Sequence, residues 1–386
     1  MNENSQAPVV IIGTGLSGYS LAREVRKLDK DIPLLLVTAD DGASYSKPML
    51  STGFTKEKTA DALAMADAQK MADQLNLQVR TFAQVTAIDG DAHCIHLGDE
   101  SIAYHKLVLA WGADVIRLQL DGDATDRVYS INDLMDYRSF REAVDGHQRV
   151  AILGAGLIGC EFANDLRNGG FEVDVIAPSD TVLPGLLPPQ AAAAVQRGLT
   201  DGGVRFHLGK AATAVNGDAA GVSLTLDDGS TLAADIVISA VGLRPRTELA
   251  AKAGLEVGRG IKVNRQLQTS VADIYAMGDC AEVEGHVLLY VLPLMASARA
   301  LAKTLTSEPT AVSYGSMPVL IKTPSCPTVV SPPAAGAQGE WQEEVDGNSV
   351  RALFRAPDNT LLGFAVTGDY VAEKQALSRE VPAILP

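Results

Sequence analysis

Short apolar runs alternate with amphipathic stretches along most of the chain, a pattern typical of parallel strands joined by crossover helices. The first example is a strand over residues 9–12, a helix over 16–29 and a second strand over 34–37. The arrangement returns at 150–176, where a strand, a helix over 157–168 and another strand follow one another. The pattern therefore predicts two βαβ units.

The remaining pattern extends both units and adds a third region. We predict further helices over 60–75, 189–201 and 293–305 and turns at 216–218 and 227–229. We also predict strands over 79–87, 107–113, 204–207 and 236–242, and one that begins at Ile274 and ends at Gly278-Asp279. Two of these strands end in the same way, at Ala110-Trp111-Gly112 and Ala240-Val241-Gly242, which indicates an internal duplication. The last segment, 318–386, combines β-like runs with a Pro/Gly-rich loop and reads as a smaller α+β domain.

A glycine-rich turn joins the first strand and helix of each βαβ unit. The two turns are Gly13, Thr14, Gly15, Leu16, Ser17 and Gly18, and Gly154, Ala155, Gly156, Leu157, Ile158 and Gly159. In this spacing the first glycine makes a tight turn, the second lets the backbone approach a pyrophosphate, and the third lets the helix pack on the strand. The phosphates bind amide groups at the helix N-terminus. Two such turns predict two dinucleotides in one chain, with electrons moving between them.

Composition narrows the class of protein. With 386 residues, 47% hydrophobic and 20% charged, the chain is long enough for two or three domains with real cores. A net charge of −15 argues against a nucleic-acid or anionic-membrane partner. No run approaches the ~18 apolar residues of a membrane span, so we expect a cytoplasmic protein, and we expect a monomer.

The cysteines and histidines show no metal or dithiol spacing. Four cysteines, at 94, 160, 280 and 326, lie far apart, and six scattered histidines form no ligand cluster in the sequence. We expect four reduced and mostly buried thiols, and no metal.

The order of the motifs resembles the pyridine nucleotide–disulfide oxidoreductase superfamily, whose members bind two dinucleotides. The resemblance rests on the two glycine-rich turns, 13–18 and 154–159, which we call the first and second fingerprints. It rests also on the two Ala-x-Gly strand ends and on Tyr275-Ala276-Met277-Gly278-Asp279. It implies an α/β fold with two Rossmann-like domains and a small α+β C-terminal domain. The implied domains are FAD-binding at 1–114 and 244–317, NAD-binding at 115–243 and C-terminal at 318–386. It also implies FAD at the first fingerprint, NAD(P)H at the second, and a hydrogen bond from a flavin ribityl hydroxyl to Asp279.

The acidic residue that usually holds a ribose hydroxyl at the end of the second strand is missing from both units. Thr38 and Ala39 occupy that place in the first unit, with Asp40 just beyond, so we expect Thr38 or backbone groups to replace it. Ala177 and Pro178 stand there in the second unit, without an arginine for a 2′-phosphate. This composition favours NADH over NADPH.

The resemblance also implies the residues beside the flavin. Lys47 lies in the loop that passes the isoalloxazine, where a lysine stabilises negative charge on the reduced ring, and Glu161 would hold it in place. Lys322 stands where relatives carry an aromatic residue over the flavin, while Val85 and Val291 would contribute backbone contacts to adenine and flavin.

The missing dithiol selects a branch of the superfamily. Disulfide reductases carry a cysteine pair and NADH peroxidases a single cysteine near residue 47, but this chain has neither. The flavin must then pass electrons outward, one at a time, to a protein carrier. Two further stretches, 38–51 and 322–333, are similar to the rubredoxin reductases of alkane degraders, which implies rubredoxin as acceptor and an alkane hydroxylase beyond it. A ferredoxin reductase of an oxygenase system and a flavin-binding signalling protein stay open as alternatives.

Overall fold

The computed structural model describes residues 7–218 and 221–386, which divide into two compact units. The first unit contains residues 7–47, 64–114 and 243–314. The second unit contains residues 48–63, 115–242 and 315–386 within the described ranges. Each unit is therefore assembled from stretches that are distant in sequence.

A five-stranded parallel sheet forms the centre of the first unit. In spatial order its strands are Ile274–Ala276, Lys106–Leu109, Val9–Ile12, Leu34–Val37 and Gln78–Arg80. Val10, Ile11 and Val108 have no exposed surface. Because both faces of the sheet are buried, its strands are continuous apolar runs without the polar alternation of a half-exposed sheet.

Helices and small sheets complete the first unit. The helices are Leu16–Leu28, Ala68–Leu75, Glu248–Lys252 and Val291–Thr306, with a 3₁₀ turn at Gly278–Cys280. The short strands are Ser44–Tyr45 with Ala64–Ala66, Ala113–Val115 with Leu243–Pro245, Ile261–Val263 with Ala281–Val283, and the antiparallel trio Ala87–Asp89, Cys94–Leu97 and Glu100–Ala103. The helices Leu16–Leu28 and Val291–Thr306 pack against each other, which brings the first fingerprint and the Gly-Asp turn to one edge of the sheet.

The second unit repeats the parallel sheet. Its strands, in spatial order, are Val128–Tyr129, Ile236–Ser239, Arg149–Leu153, Glu172–Ala177 and Val204–Leu208. The accompanying helices are Ala60–Leu63, Leu134–Val144, Leu157–Asn168 and Pro189–Asp201, with the 3₁₀ helix Thr125–Arg127. The 3₁₀ helix Lys47–Thr52 belongs to this unit from its second residue onward. An antiparallel meander of Ala212–Asp218, Gly221–Leu226 and Thr231–Ala234 packs its buried side chains, among them Val215, Val222 and Leu224, against this sheet.

The C-terminal segment forms an antiparallel sheet in the second unit. Its strands, in spatial order, are Val319–Ile321, Thr328–Ser331, Leu361–Thr367, Ser349–Arg355 and Glu340–Asp346. A 3₁₀ helix, Gly368–Glu373, and a helix, Lys374–Glu380, follow, and Leu377 packs into a cluster around Phe364. Two parallel sheets and a small α+β region confirm the predicted fold class, while the predicted domain boundaries stay a prediction.

Two of the predicted elements are wrong in the first 90 residues. The helix predicted over 60–75 is interrupted by the strand Ala64–Ala66, and it restarts because the Asp67 carboxylate accepts a hydrogen bond from Lys70 N at 2.7 Å. The strand predicted over 79–87 ends at Arg80. Beyond it, the backbone N–H groups of Phe82 and Ala83 turn back to donate to the carbonyl oxygens of residues 40 and 38.

A third prediction, the turn at 216–218, is also wrong. These three residues extend the strand Ala212–Asp218, where Asn216 pairs with Ser223 and Gly217 pairs with Val222. The turn residues Asn and Gly lie in the ladder because the cross-strand pairing of the meander overrides their local preference. The predicted turn at 227–229 is present between the next two strands.

Asp235 stabilises the start of the strand Arg149–Leu153 by hydrogen bonds. Its carboxylate accepts hydrogen bonds from the backbone N–H groups of Gln148, at 3.0 Å, and Arg149, at 2.8 Å, and from the Arg149 guanidinium. Burial raises the pKa of Asp235, but these hydrogen bonds outweigh burial and lower the pKa from 3.8 to about 2. The carboxylate therefore stabilises the fold when it is ionised.

We expect Asp235→Asn to show this stabilisation as a pH dependence. Since the folded pKa lies below the unfolded one, the stabilisation is complete above pH 3.8 and is lost as the pH falls towards 2. The substitution should lower the free energy of unfolding by about 1.5–3 kcal/mol at pH 7 and by progressively less below pH 4. Urea unfolding at several pH values measures this, with the exposed Asp201→Asn as control. A loss that is the same at pH 3 and pH 7 would contradict the explanation.

Candidate functional site

The two glycine fingerprints have the same backbone geometry. Gly13 and Gly154 both have φ of +111°, a region that L side chains rarely adopt. A Cβ on Gly18 would lie 1.9 Å from Gly13 O, and a Cβ on Gly159 would lie 2.0 Å from Gly154 O. The first and third positions of each fingerprint therefore admit only glycine, because the turn and the helix lie against one another.

The middle glycines are different, because they face open space. A Cβ on Gly15 or on Gly156 would meet no protein atom within 4 Å. Each of these glycines is the N-cap of the following helix, neither helix has a side-chain cap, and neither has an acidic residue in its first turn. Each glycine turn and the first amide groups of its helix thus form a cradle open to a ligand, which fits an anionic pyrophosphate.

Asp40, which lies just beyond the expected ribose position in the sequence, stands beside the first fingerprint in the structure. Asp40 Oδ1 accepts hydrogen bonds from Thr38 Oγ1 at 2.6 Å, Thr14 Oγ1 at 3.2 Å and Gly42 N at 2.9 Å. The two threonine hydroxyls are buried, and they tie Asp40 to the fingerprint turn. An acidic residue is therefore present near the expected ribose position, two residues later than the usual spacing places it.

Lys47 and Asp279 form an ion pair in the first unit. Lys47 Nζ lies 3.8 Å from Asp279 Oδ2, and the side chains are 35% and 19% exposed. Burial raises the pKa of Asp279, and the nearby Lys47 ammonium opposes this shift. Asp279 follows Gly278, whose φ is +73° and whose Cβ would lie 2.2 Å from Ser17 Oγ. The Gly-Asp turn is thus packed directly on the helix of the first fingerprint.

The other predicted residues of the first site lie in the same unit. Val85 is buried, Ala39 is exposed, and Leu16 is partly exposed at the first helical position after the fingerprint. Val291 is 38% exposed and begins the helix Val291–Thr306, whose N-cap makes no side-chain hydrogen bond. Their contacts with a bound dinucleotide stay predictions.

Glu161 is held in a closed polar cluster within the second unit. The carboxylate is 1% exposed, and its Oε2 accepts hydrogen bonds from Ser51 Oγ at 2.7 Å and from Lys322 Nζ. Its Oε1 accepts a hydrogen bond from Lys322 N at 3.0 Å, and Lys322 Nζ also donates to Ser51 Oγ at 2.8 Å. Every member of the cluster therefore has a partner of complementary charge or polarity.

The helix Leu157–Asn168 binds two further segments of the chain on the face that carries Glu161. One turn beyond Glu161, Asp165 accepts hydrogen bonds from Phe54 N at 3.0 Å and Thr55 N at 2.7 Å. Asn164 Oδ1 accepts from Ser325 N and Ser325 Oγ. Positions i, i+3 and i+4 share a helix face, so the helix of the second fingerprint carries both the 51–55 loop and the 322–325 segment.

These contacts extend the prediction for Glu161. In the second unit the carboxylate pairs with Lys322 and Ser51. The hydrogen bond from Ser51 could not be predicted from the sequence, because 110 residues separate the two side chains. Lys322, predicted over the flavin, is a half-buried partner of Glu161. The predicted pairing of Lys47 with Glu161 joins residues of different units and stays a prediction.

The cysteines are all free, and three are buried. Cys160, Cys280 and Cys326 are buried, whereas Cys94 is half-buried. Burial raises the pKa of the Cys160 and Cys280 thiols to about 12. Cys280 follows Asp279 directly, but its Sγ contacts the carbonyl oxygens of Leu109 and Met277 at 3.3 Å. A buried neutral thiol of this kind is chemically inert.

Among residues 7–218 and 221–386, no helix is both long and apolar enough to cross a membrane.

Comparison with known proteins agrees with this geometry. Residues 7–306 match the pyridine nucleotide-disulphide oxidoreductase family, and residues 311–381 match a rubredoxin binding C-terminal domain. The chain is 58% identical to the rubredoxin-NAD(+) reductase of Alcanivorax borkumensis over 98% of this chain and 100% of that one. It is 45% identical to the protein of the same name from Acinetobacter baylyi, over 98% and 99% of the two chains.

Solved structures share the fold over nearly the whole length. The ferredoxin reductase for the CYP199A2 system from Rhodopseudomonas palustris superposes with a TM-score of 0.87 at 25% identity, covering 98% of this chain and 96% of that one. The expected cofactors, FAD and NAD, are those of this family, and both glycine cradles fit them. The paired fingerprints, the Gly-Asp turn and the extent of the match together show that the chain is an oxidoreductase and belongs to the pyridine nucleotide-disulphide oxidoreductase family.

Proposed function

We propose that the chain is an FAD-dependent reductase that takes a hydride from NADH and passes single electrons to rubredoxin. The observation that carries this proposal is the rubredoxin binding C-terminal domain at 311–381, in a chain 58% identical to a rubredoxin-NAD(+) reductase. The C-terminal sheet and the helix of the second fingerprint belong to one unit, joined by the contacts of Lys322 and Ser325.

Different residues of the chain would bind the two dinucleotides. The open spaces at Gly15 and Gly156 admit the pyrophosphates, and the helix amides bind them. Bound FAD would supply the step from a two-electron donor to a one-electron acceptor. Asp279 would accept a hydrogen bond from a ribityl hydroxyl, and the Lys47 ammonium beside it would favour negative charge on the reduced ring.

The thiols support outward electron flow. The disulfide-reducing members of the superfamily use a cysteine pair close to the flavin, but the four cysteines of this chain are all free. Cys280 stands beside Asp279 as a buried neutral thiol, so it does not provide a thiolate. An external carrier is the remaining destination for the electrons.

The direct test is NADH oxidation by the purified, FAD-loaded protein, with rubredoxin and ferredoxin compared side by side. We expect turnover to depend on rubredoxin and to be at least about tenfold lower in kcat/KM with ferredoxin, a difference of about 1.4 kcal/mol. Equal or better turnover with ferredoxin would favour the second candidate, which the likeness to the Rhodopseudomonas palustris ferredoxin reductase supports. NADH oxidation that needs no carrier would contradict both.

Three finer proposals rest on the resemblance to the rubredoxin reductases of alkane degraders. We propose that the protein works as a monomer, that it is cytoplasmic, and that its electrons continue through rubredoxin to an alkane hydroxylase. Sedimentation of the holoprotein tests the first, fractionation of the producing cells the second, and NADH-dependent alkane oxidation in a reconstituted mixture the third.

Lys47→Ala should slow the reduction of the flavin by NADH while FAD stays bound. The substitution removes the charge beside Asp279, so the rate constant should fall by at least about tenfold. Stopped-flow absorbance of the flavin measures it, with the exposed Lys30→Ala as the matched control. An unchanged rate constant in Lys47→Ala would remove this lysine from the mechanism.

A further inference from the structure

A hairpin in the first unit brings three potential metal ligands onto one face. In the ladder between Ala87–Asp89 and Cys94–Leu97, Asp89 lies opposite Cys94, and His96 follows Cys94 by two residues. Side chains two positions apart on a strand point to the same face, as do directly opposed cross-strand pairs. The thiol, the imidazole and the carboxylate therefore converge, although in sequence Asp89 stands five residues before Cys94.

The distances suit a tetrahedral ion. Cys94 Sγ lies 3.6 Å from His96 Nε2, and all three potential ligand atoms lie within 4.8 Å of one another. Zinc bonds of about 2.3 Å to sulfur and about 2.05 Å to nitrogen at the tetrahedral angle separate the two ligand atoms by about 3.6 Å. The sulfur–nitrogen edge of the site is thus already set at the required length.

The Asp89 carboxylate offers a third metal ligand. Asp89 Oδ1 accepts hydrogen bonds from Asp91 N at 3.1 Å and Ala92 N at 2.8 Å, which orient the side chain at the turn. Its second oxygen is available to a cation, and ligating carboxylates commonly hold one oxygen in such outer hydrogen bonds. Asp89 is exposed, so a rotation of its side chain can shorten the remaining distances.

The surroundings are acidic. Tyr104 donates a hydrogen bond to the backbone oxygen of Asp89 at 3.4 Å. The exposed Asp89 carboxylate stands beside the thiol and the imidazole, and its negative charge attracts a cation.

We propose that Asp89, Cys94 and His96 form a binding site for a zinc ion, with water as the fourth ligand. On binding, the Cys94 thiol releases its proton to solvent and the imidazole binds as the neutral base, as zinc ligation requires. The proposal departs from the expectation that the histidines form no ligand cluster and that the protein binds no metal, because the hairpin pairing brings together side chains that the sequence spacing keeps apart.

The test uses the FAD-loaded protein and zinc chloride alone, in a titration calorimeter after treatment with a chelator. Wild type should bind one equivalent, and Cys94→Ser and His96→Asn should each raise the dissociation constant at least about tenfold. Asp89→Asn should weaken binding more modestly. Asp91→Asn, an exposed carboxylate in the same turn, is the matched control and should leave the constant unchanged.

A second measurement on wild type alone keeps the proposal testable if a variant folds poorly. Cobalt(II) in place of zinc should give a sulfur-to-metal charge-transfer band that zinc then removes. Absence of the band, or of stoichiometric zinc binding to wild type, would overturn the proposal. So would variants of Cys94 and His96 that bind zinc as tightly as Asp91→Asn.

Discussion

Gly156→Ala should raise the dissociation constant for NADH at least about tenfold, or about 1.4 kcal/mol, while leaving the protein folded and yellow. The added Cβ meets no protein atom within 4 Å, and Gly156 has φ of −78°, which alanine adopts without strain. The methyl group therefore occupies only the space through which a pyrophosphate approaches the helix amides. Rapid-reaction titration of flavin reduction with NADH measures the constant, and absorbance of the bound flavin gives the FAD content.

The first fingerprint supplies the reciprocal control. Gly15 also faces open space and has φ of −60°, so Gly15→Ala should fold equally well but bind FAD at least about tenfold more weakly. Each substitution should thus affect one ligand and spare the other. If Gly156→Ala lost FAD while NADH affinity held, the assignment of the two cradles would be reversed. If neither affinity changed, the open spaces would not be the pyrophosphate sites.

Glu161→Leu should lower the free energy of unfolding by about 3 kcal/mol, the lower end of the range for breaking a buried ion pair. The carboxylate is 1% exposed, and its loss leaves the Lys322 ammonium without an opposite charge and removes the acceptor of the Ser51 hydroxyl and of Lys322 N. The lower end applies because the Lys322 side chain is 24% exposed and can be partly hydrated. Urea unfolding of the FAD-loaded protein measures the change, with the exposed Glu142→Leu as control.

A double-mutant cycle separates the pairing from simple loss of packing. Adding Lys322→Met to Glu161→Leu removes the ammonium that has lost its opposite charge. The double variant should therefore be more stable than the sum of the single changes predicts. We expect a coupling of at least about 1 kcal/mol. Additive losses would show that Glu161 and Lys322 act independently. In that case the polar cluster would be a consequence of the fold and would contribute little to its stability.

The sequence predicted the parallel sheets and both cradles, because these depend on local signals. Four-residue apolar strands followed by glycines at fixed spacing lead to one strand-to-helix geometry, and the two fingerprints agree in φ to the degree. The interrupted helix at 60–75 was missed for a different reason. The pairing of Ala64–Ala66 with Ser44–Tyr45 is tertiary, and a window on the sequence contains no information about it.

The positions of some candidate site residues could be predicted for the same reason, while their roles stay predictions. Thr14, Thr38 and Asp279 follow from strand ends and motif spacing, which are local. The Ser51 contact with Glu161 and the threonine contacts with Asp40 depend on which loop packs beside which helix. The cluster of Asp89, Cys94 and His96 depends on strand register, which a spacing rule for metal ligands does not contain.

The burial of three thiols gives the chain a practical property. Cys160, Cys280 and Cys326 are buried, so a maleimide or iodoacetamide reagent meets one accessible sulfur, that of the half-buried Cys94. A fluorophore attached there would sit on the 87–97 hairpin of the first unit, with no cysteine to be removed by mutation beforehand. The native chain can therefore be labelled with a single reporter, whose fluorescence depends on the surroundings of that hairpin.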